Sequence, residues 1–264
     1  MNTASLFRLD SQVAAVVGAG SGIGEATARM AADLGAYVVC LDVNAAAVEA
    51  VASSINYGGG KAESGVVDIR DGATVRKCFD DIAARKGGLH IAICTPAINV
   101  RKKILDYTEE EFDRVMAVNM RGNFNVLQSA GRIMTAQKKG SIVLCSSIRS
   151  QTVEPGQSAY AATKAGILQM VKTAASEFGP FGVRVNAIGP GVTDTPLTAP
   201  IKSNKAWYEA YAAKTIMNRW GQPSEIAAAT LFLCAPGASY ITGTILFVDG
   251  GWTAHDGRFT PPGM

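Results

Sequence analysis

The sequence predicts a single α/β domain built on a doubly wound parallel sheet of about seven strands. Short apolar segments alternate along the chain with longer helical patterns, which is the order expected of strand–helix–strand units with right-handed crossovers. The apolar segments are continuous rather than alternating, as in strands that helices cover on both faces. The chain has 264 residues, 48% of them hydrophobic, and this is sufficient for one large core.

Seven segments are predicted to be strands and six to be helices. The strands are VAAVVG (13–18), YVVCLD (37–42), SGVVD (64–68), LHIAIC (89–94), SIVLC (141–145), VRVNAI (183–188) and TILFVD (244–249). Helical patterns fill residues 22–35, 44–56, 71–86, 108–137, 158–178 and 224–235. In such Rossmann-type sheets, ligands bind at the carboxyl ends of the strands, near the point where strand order reverses. The residues that follow the strands are therefore the candidates for function.

The first strand is followed by the glycine-rich turn GAGSGIG. The fingerprint GxGxxG does not fit this turn, because Ile23 stands where its third glycine would be. The spacing GxxxGxG fits, at Gly18, Gly22 and Gly24. Glycines carry no side chain, so they let the backbone of the turn approach a pyrophosphate. The start of the following helix offers amides and a partial positive charge. The order of strand, turn and helix predicts a dinucleotide site.

The second strand ends in Asp42, at the position where the adenosine ribose of a dinucleotide would lie. A carboxylate can accept hydrogen bonds from the ribose 2′- and 3′-hydroxyls of NAD, whereas it repels the 2′-phosphate of NADP. No Arg or Lys stands within the glycine turn or directly after Asp42 to compensate. The sequence therefore predicts NAD as the cofactor.

Two tyrosine–lysine pairs have a spacing of four residues, which would place both side chains on one face of a helix. Tyr160 and Lys164 lie in the alanine-rich segment SAYAATKAG, within a helical pattern. Tyr57 and Lys61 lie in YGGGK, whose three glycines disfavour a helix. The spacing alone does not decide whether either pair is functional or is an ordinary pair on a helix surface.

A lysine beside a tyrosine can turn a phenol into a base. A free tyrosine has a pKa of about 10, and lowering that value to about 7 requires roughly 4 kcal/mol of preferential stabilisation of the phenolate. A cation about 4 Å away, at an effective dielectric constant near 20, supplies approximately this energy. Such a pair could therefore give and take protons near neutral pH.

Composition argues against several other classes of protein. The net charge of +3 is mild, and the longest basic cluster, at residues 101–103, is too short for a nucleic-acid surface. Apolar runs are too short for a membrane span, and the N-terminus lacks a secretory pattern, so we expect a cytoplasmic protein. Five scattered cysteines and two histidines disfavour a metal site and a Ser-His-Asp hydrolase.

With these elements in order, the chain resembles the short-chain dehydrogenase/reductase family from about residue 8 to 252. Besides the glycine turn, the matching motifs are LD (41–42), DI (68–69), VNMRGNF (118–124), CSS (145–147), YAATK (160–164) and PGVTDT (190–195). The resemblance implies that the catalytic residues are Asn119, Ser147, Tyr160 and Lys164. Ser147 is preferred to its neighbour Ser146 because it stands thirteen residues before the tyrosine, as in the family.

The resemblance also implies the roles of individual residues. Ser147 would hold the substrate oxygen, and Asn119 would support a water path for the proton. Asp68 would bind the adenine, and Thr195 would contact the nicotinamide carboxamide. The other implied cofactor contacts are Ile23, Ile69, Thr95, Tyr160, Lys164, Pro190 and Thr193, in addition to the three glycines and Asp42.

Two departures from the family pattern lie near the glycine turn. Val17 stands where the family usually has threonine, and the fourth strand ends in Cys94-Thr95-Pro96-Ala97 instead of Asn-Asn-Ala-Gly. Pro96 lacks a backbone donor, and Ala97 adds a methyl group to the floor of the cofactor site. We expect Thr95 to replace part of the lost hydrogen bonding.

The predicted reaction is the NAD-dependent interconversion of a secondary alcohol and a ketone, with a sugar, a polyol or a sugar acid as the substrate. Arg101 and Lys102 follow the fourth strand and Arg149 follows Ser147, which favours an anionic or hydroxyl-rich substrate. Two alternatives remain. One is a 3-oxoacyl thioester reductase, whose family members usually use NADP. The other is a cofactor-binding scaffold or regulator without catalysis.

We predict one dinucleotide-binding and catalytic domain over residues 1–264, with two special segments. Residues 192–222 are a long insert with several aromatics in a helical spacing, and we expect them to form a lid over the substrate. The alternative is that these aromatics are core. The C-terminal tail, 253–264, either helps to close the site or is disordered.

The helical patterns at 111–137 and 158–178 carry apolar residues around most of their circumference. One face of each helix can pack on the sheet, and the remaining apolar surface requires another cover. Together with the family resemblance, this predicts a homotetramer. The alternative is cover by the chain's own loops.

Overall fold

The computed structural model describes residues 3–255 and contains a parallel sheet of seven strands within that range. The strands are β1 (Val13–Val17), β2 (Tyr37–Asp42), β3 (Lys61–Val66), β4 (Ile91–Cys94), β5 (Gly140–Cys145), β6 (Val183–Pro190) and β7 (Ile245–Val248). Their order across the sheet is β3-β2-β1-β4-β5-β6-β7, so the order reverses between β1 and β4. This arrangement confirms the predicted doubly wound α/β class.

Helices cover both faces of the sheet. They are α1 (Gly22–Asp33), α2 (Ala45–Tyr57), α3 (Gly72–Lys86), α4 (Glu109–Met116), α5 (Asn123–Gln137), α6 (Ser158–Phe178), α7 (Ala199–Lys202), α8 (Lys205–Lys214) and α9 (Pro223–Cys234). Alternate residues of β1 enter two separate cores, Val13 and Val17 on one face and Ala14 and Val16 on the other. Helices α3, α5 and α6 pack on the first face, and α1, α2 and α9 pack on the second. Burial on both faces explains why the strands are continuously apolar.

The register of β1 brings three chain segments together at the carboxyl edge of the sheet. Val17, the last residue of β1, is paired with Leu41 of β2 and with Cys94 of β4. The amide of Gly18 then donates to the carbonyl of Leu41 at 2.8 Å. The glycine turn, the end of β2 and the end of β4 are therefore neighbours at the reversal of strand order, where ligands of such sheets bind.

The third strand lies earlier in the sequence than predicted. It spans Lys61–Val66 rather than 64–68, and its backbone pairs with β2 from Tyr37 to Asp42. Because β3 is the edge strand, most of its residues are only partly covered, and a search for apolar runs misses the polar start of such a strand. Tyr57 ends α2 while Lys61 begins β3, so the second tyrosine–lysine pair does not share a helix.

The predicted helix over 108–137 is divided into three parts. Helix α4 is followed by a π-helical turn, Ala117–Gly122, and then by α5. A π-helical turn is rare and occurs often at functional sites, because the extra residue changes the direction of side chains and carbonyls. Asn119 lies within this turn and is completely buried.

The insert at 192–222 folds into a short 3₁₀ turn (Pro196–Thr198) and the helices α7 and α8. Its aromatics form a small hydrophobic cluster beside the main cores. The buried members of this cluster are Ile148, Val192, Ile201, Tyr211, Trp220 and Trp252, and Trp207 and Tyr208 pack against them. In the C-terminal tail, residues 256–264 lie outside the described residues.

Within residues 3–255, none of the helices combines the length and the apolar character needed to cross a membrane. The same part of the chain contains no group of three or more His, Cys, Asp or Glu side chains that could hold a metal ion.

Candidate active site

The glycine turn requires small residues for specific steric reasons. Gly18 and Gly22 have φ angles of +84° and +56°, in the left-handed region that favours glycine. A Cβ atom on Gly24 would lie only 1.9 Å from the carbonyl oxygen of Gly18. Gly20 has a similar constraint that the spacing GxxxGxG did not include, because its Cβ would lie 2.9 Å from the Asp42 carboxylate. The turn therefore packs too closely on itself and on Asp42 to accept a side chain at Gly24 or Gly20.

The carboxylate of Asp42 is held in place by two backbone amides. Its Oδ2 accepts from the amide of Gly20 at 3.0 Å, and its Oδ1 accepts from the amide of Asn44 at 3.0 Å. Each carboxylate oxygen retains a lone pair that can accept from another donor. A fixed acceptor at the end of β2 fits the hydroxyl groups of a ribose.

The altered end of β4 is compensated by Thr95. Both the hydroxyl and the amide of Thr95 donate to the carbonyl of Val17, at 3.0 and 3.1 Å respectively. The Thr95 hydroxyl also packs against the turn, since a Cβ on Gly18 would lie 2.4 Å from it. Thr95 therefore ties β4 to β1 beneath the glycine turn, as the sequence predicted.

A cavity of about 340 Å³ lies over this edge of the sheet. Of the predicted cofactor residues, it is lined by Gly18, Gly22, Ile23, Gly24, Asp42, Asp68, Ile69, Thr95 and Thr195. Tyr160, Lys164, Pro190 and Thr193 do not line it. Pro190 ends β6, and Thr193 is 3% exposed and donates to the carbonyl of Gly191. The cavity brings together the glycine turn, Asp42 and Asp68, which are the parts of the chain predicted to hold a dinucleotide.

Arg70 is a cavity residue that sequence reasoning missed. Its guanidinium forms an ion pair with Asp68 at 2.5 Å, and the hydrogen bonds from Arg70 lower the pKa of the Asp68 carboxyl. Asp68 is therefore ionised near neutral pH and already has a partner beside the cavity. The positive charge of Arg70 is largely balanced by this carboxylate.

The proposed catalytic pair lies on α6. Lys164 is 1% exposed, and its ammonium donates to the carbonyl of Cys145, at the end of β5, at 2.7 Å. The same ammonium lies 5.5 Å from the centroid of the Tyr160 ring, and Tyr160 is half-buried. The bond to β5 holds the cation beside the phenol at the carboxyl edge of the sheet.

The two serines after β5 have different surroundings. Ser146 donates its hydroxyl to the carbonyl of Lys164 at 2.8 Å, which ties β5 to α6. Ser147 begins the next 3₁₀ turn, and its hydroxyl oxygen accepts from the amide of Arg149 at 3.1 Å. The Ser147 hydroxyl proton is therefore available to a substrate oxygen, which supports the choice of Ser147.

Asn119 connects the segment after β4 to α6. Its side-chain oxygen accepts from the amide of Ile98, and its side-chain nitrogen donates to the Ile98 carbonyl, both at 2.9 Å. The same nitrogen is 3.2 Å from the hydroxyl of Thr163. Asn123 donates to the main-chain carbonyl of Asn119 at 2.9 Å. The side chain of Asn119 thus stabilises the π-helical turn and the floor of the site.

A polar cluster lies beside Ser147 and includes a residue that the sequence did not indicate. Arg101 and Arg149 both pair with Glu154, and the hydroxyl of Tyr211 from α8 donates to the same carboxylate. Arg101 and Glu154 are 53 residues apart in the chain. Neither local spacing nor a motif signals such a contact, so only the folded chain shows it.

Comparisons with known proteins agree with this geometry. A family model described as enoyl-(acyl carrier protein) reductase matches residues 18–253. The chain is 37% identical over 255 residues to galactitol 2-dehydrogenase (L-tagatose-forming) of Cereibacter sphaeroides, covering 96% of this chain and 99% of the relative. It is 33% identical over 245 residues to a 3-oxoacyl-[acyl-carrier-protein] reductase of Thermotoga maritima, covering 93% of this chain and 99% of the relative.

A similar solved structure is that of a gluconate 5-dehydrogenase from Burkholderia cenocepacia in complex with NADP and tartrate. It has a TM-score of 0.93 and 31% sequence identity, and the match covers 96% of this chain and all of that one. The fold and the site therefore define an oxidoreductase that acts on CH–OH groups with a nicotinamide cofactor. The chain belongs to the short-chain dehydrogenase/reductase family, which confirms the resemblance seen in the sequence.

Proposed function

We propose that the protein is an NAD-dependent dehydrogenase that interconverts a secondary alcohol and a ketone, with Tyr160 as the general base and acid. The observation that carries this proposal is the buried ammonium of Lys164, 5.5 Å from the centroid of the Tyr160 ring. This arrangement places a fixed positive charge beside the phenol that would exchange a proton with the substrate.

The four catalytic positions have distinct roles in this proposal. Tyr160 takes the hydroxyl proton of the alcohol, and Lys164 is the cation that lies beside its ring. Ser147 donates its hydroxyl hydrogen to the substrate oxygen. Asn119 holds the π-helical turn in place and supports a water path through which the proton leaves. A bound nicotinamide supplies the hydride chemistry.

The preference for NAD rests on Asp42. Its fixed carboxylate can accept from the ribose hydroxyls and would repel a 2′-phosphate. The residues that line the cavity include one positively charged side chain, that of Arg70. Its ion pair with Asp68 reduces its attraction for a phosphate. The solved gluconate 5-dehydrogenase holds NADP, so the alternative cofactor has a precedent in a relative.

The proposed substrate is a sugar, a polyol or a sugar acid. The arginines near Ser147 and the similarity to a galactitol 2-dehydrogenase support this class. The second candidate is a 3-oxoacyl thioester reductase, which the similarity to the Thermotoga maritima protein supports. Asp42 disfavours the second candidate as long as that reaction depends on NADP.

We further propose one catalytic domain over residues 1–264, with the insert at 192–222 as a substrate lid, and a homotetramer as the functional assembly. In support of the tetramer, an apolar groove of about 530 Å³ lies between α5 and α6. The residues that line this groove include Phe124, Leu127, Gly131, Met170 and Phe178. Burying it against a second chain would remove apolar surface from water.

Two measurements on one sample test the function. NADH binding is titrated by fluorescence, and turnover is followed by nicotinamide absorbance with a panel of polyols, sugar acids and hydroxyacyl thioesters. We expect NADH binding together with oxidation of at least one polyol, sugar or sugar acid. Binding without turnover of any compound would identify a scaffold or regulator, and turnover of hydroxyacyl thioesters alone would identify the reductase.

A further inference from the structure

The carboxylate of Glu154 is bound by three side chains from different parts of the chain. Its Oε1 accepts from Nη1 of Arg101 at 2.8 Å, and its Oε2 accepts from Nη2 of Arg149. The hydroxyl of Tyr211 lies 2.5 and 2.6 Å from the two carboxylate oxygens. One internal carboxylate therefore engages two arginines and a phenol at the same time. We call these four residues the Glu154 cluster.

The Glu154 cluster borders the position proposed for the substrate. The amide of Arg149 donates to the Ser147 hydroxyl oxygen, so the cluster begins two residues from the group proposed to hold the reacting oxygen. Arg101 belongs to the segment that follows β4, and Tyr211 belongs to α8 in the insert. Three segments that surround the carboxyl edge of the sheet thus meet at Glu154. A substrate whose reacting carbon lies at Ser147 would extend its other carbons toward this cluster.

The orientation of both arginines is fixed by aromatic rings. The guanidinium carbon of Arg101 lies 5.0 Å from the ring centroid of Trp207, and that of Arg149 lies 5.4 Å from the ring centroid of Trp252. An arginine whose face is covered by a ring presents its N–H groups only at its edge. At that edge each guanidinium group donates through one nitrogen to the Glu154 carboxylate.

The cluster is shielded enough for these charges to matter. The Arg149 side chain is 7% exposed, and those of Glu154 and Arg101 are 21% and 30% exposed. Burial alone would raise the pKa of Glu154, but the hydrogen bonds from Tyr211 and Arg101 and the charge of Arg149 outweigh it and lower that pKa. Glu154 is consequently an anion at neutral pH, and it cancels one of the two positive charges.

We infer that Glu154 is a specificity-determining residue that makes the site select neutral polyols or sugars over sugar acids. This inference rests on the proposed function and narrows its substrate class. A substrate carboxylate would have to compete with Glu154 for the same two arginines, and the Glu154 charge weakens their attraction for it. Hydroxyl groups meet no such penalty, because they can donate to the carboxylate or to the Tyr211 oxygen.

The test compares substrates that differ only in the charge at one end. D-Glucitol and D-gluconate form one such six-carbon pair, and galactitol and D-galactonate form another. For each pair, kcat/KM of the acid is divided by kcat/KM of the polyol, measured on the same preparation, so that the fraction of folded enzyme cancels. We expect a ratio below one in the wild type. Glu154→Gln should raise the ratio by roughly tenfold or more, because it frees both arginines for a substrate carboxylate.

A matched control is available elsewhere in the chain. In the edge strand β3, Glu63 accepts from Arg85 at 2.9 Å, from Lys86 at 2.8 Å and from the Tyr37 hydroxyl at 2.9 Å. This carboxylate has almost the same kinds of partner as Glu154 but does not line the cofactor cavity and belongs to a strand far from β5 in the sheet order. Glu63→Gln should leave the acid-to-polyol ratio unchanged.

A second variant predicts a change of opposite sign. Arg101→Gln removes one cation and leaves the Glu154 carboxylate in place, so the ratio should fall below that of the wild type. Arg101 is the more exposed of the two arginines, and its loss should disturb folding less than the loss of a buried partner.

Three outcomes would overturn the inference. A wild-type ratio above one would contradict it while leaving the proposed dehydrogenase chemistry intact. A ratio in Glu154→Gln that matches the wild type and Glu63→Gln would remove the role of Glu154. If neither compound of either pair is turned over, the same ratio is measured for a polyol and its matching acid that the panel identifies as substrates, and an absence of any such substrate, with NAD or with NADP, would overturn the proposed function and the inference together.

Discussion

At the scale of single residues, Tyr160 and Tyr57 have the same spacing to a lysine but opposite surroundings. Tyr160 is half-buried beside an ammonium that is 1% exposed and is held by the carbonyl of Cys145. Tyr57 is 97% exposed, and Lys61 belongs to a different element. The chemistry proposed for Tyr160 therefore depends on packing rather than on spacing alone, and the two tyrosines form a matched pair for experiment.

Replacing Tyr160 with phenylalanine removes the proton acceptor while preserving the ring. We expect Tyr160→Phe to lower kcat by roughly 100-fold or more, with NADH affinity close to that of the wild type. Tyr57→Phe should change kcat by less than about twofold, because that hydroxyl faces solvent. Steady-state kinetics and NADH fluorescence on the three proteins check this, and similar losses in both variants would remove Tyr160 from its role.

Asp42 should determine the choice between NAD and NADP. Asp42→Ala removes the acceptor of the ribose hydroxyls and the repulsion of a 2′-phosphate together, so the ratio of kcat/KM for NAD to that for NADP should fall by roughly tenfold or more. Asp10→Ala serves as the control, because Asp10 is an exposed carboxylate that pairs with Arg8 away from the cavity. A wild type that uses NADP as efficiently as NAD would refute the argument.

His90 should make stability depend on pH. Its Nδ1 accepts from the amide of Val13 at 3.1 Å, and burial, followed by the charge of Lys139, lowers the pKa of the imidazole. A histidine in the unfolded state has a pKa of about 6.5. Just below that pH the imidazole is protonated in the unfolded state but stays largely neutral in the folded state, where its pKa is lower. The free energy of unfolding should therefore fall as the pH decreases from about 6.5 toward the lowered value of the folded state.

The measurement is urea denaturation between pH 7.5 and 5.5 for the wild type and His90→Gln, in which an amide oxygen can accept the same hydrogen bond. We expect a smaller loss of stability with falling pH in the variant. Parallel curves for the two proteins would show that His90 does not contribute.

At the scale of elements, the insert at 192–222 combines a small core with the proposed lid. Trp220 is 3% exposed, its ring stacks at 4.9 Å on that of Tyr208, and its indole N–H donates to the Tyr208 carbonyl at 3.0 Å. Trp207 is only partly buried and covers the guanidinium of Arg101. The two tryptophans of the insert therefore differ in burial and in the groups that they contact, and they can be tested against each other.

Trp220→Ala should cost about 3–5 kcal/mol of stability, because it empties the centre of the aromatic cluster. Trp207→Ala should raise KM or lower kcat while leaving thermal stability nearly unchanged, as expected of a lid residue near the substrate. Calorimetry and kinetics on both variants check this. A large loss of stability in Trp207→Ala, with normal kinetics in the folded fraction, would exclude the lid.

At the scale of the whole molecule, the groove between α5 and α6 leaves apolar surface uncovered. Phe124, which lines this groove, is 47% exposed. A monomer would expose this surface to water at a cost of about 25 cal/mol per Å². In the proposed tetramer, a second copy of the chain would cover this groove.

Light scattering at micromolar concentration should give a mass four times that of one chain. Phe124→Glu places a charge in the groove and should shift the mass to a smaller species, because burying an unpaired carboxylate is unfavourable. Tyr240→Glu is a control, since Tyr240 is fully exposed and does not line the groove. A monomeric wild type would contradict the proposed tetramer.

Features that depend on neighbours in the chain could be determined from the sequence. Continuous apolar segments between helical patterns are a direct consequence of a sheet covered on both faces, so they predicted the fold class. The glycines at 18, 22 and 24, the carboxylate at the end of β2 and the helical spacing of Tyr160 and Lys164 are also local. The structure places these residues along one edge of the sheet.

Features that depend on contacts between distant segments required the tertiary structure. The edge strand β3 begins at Lys61 because its backbone pairs with β2, although its own residues are partly polar. The π-helical turn around Asn119 coincides with side-chain bonds to Ile98 and Thr163, which come from two other segments. The partners of Glu154 are residues 101, 149 and 211, which lie in different segments of the chain. No periodicity along the sequence predicts which side chains will meet when the strands assemble.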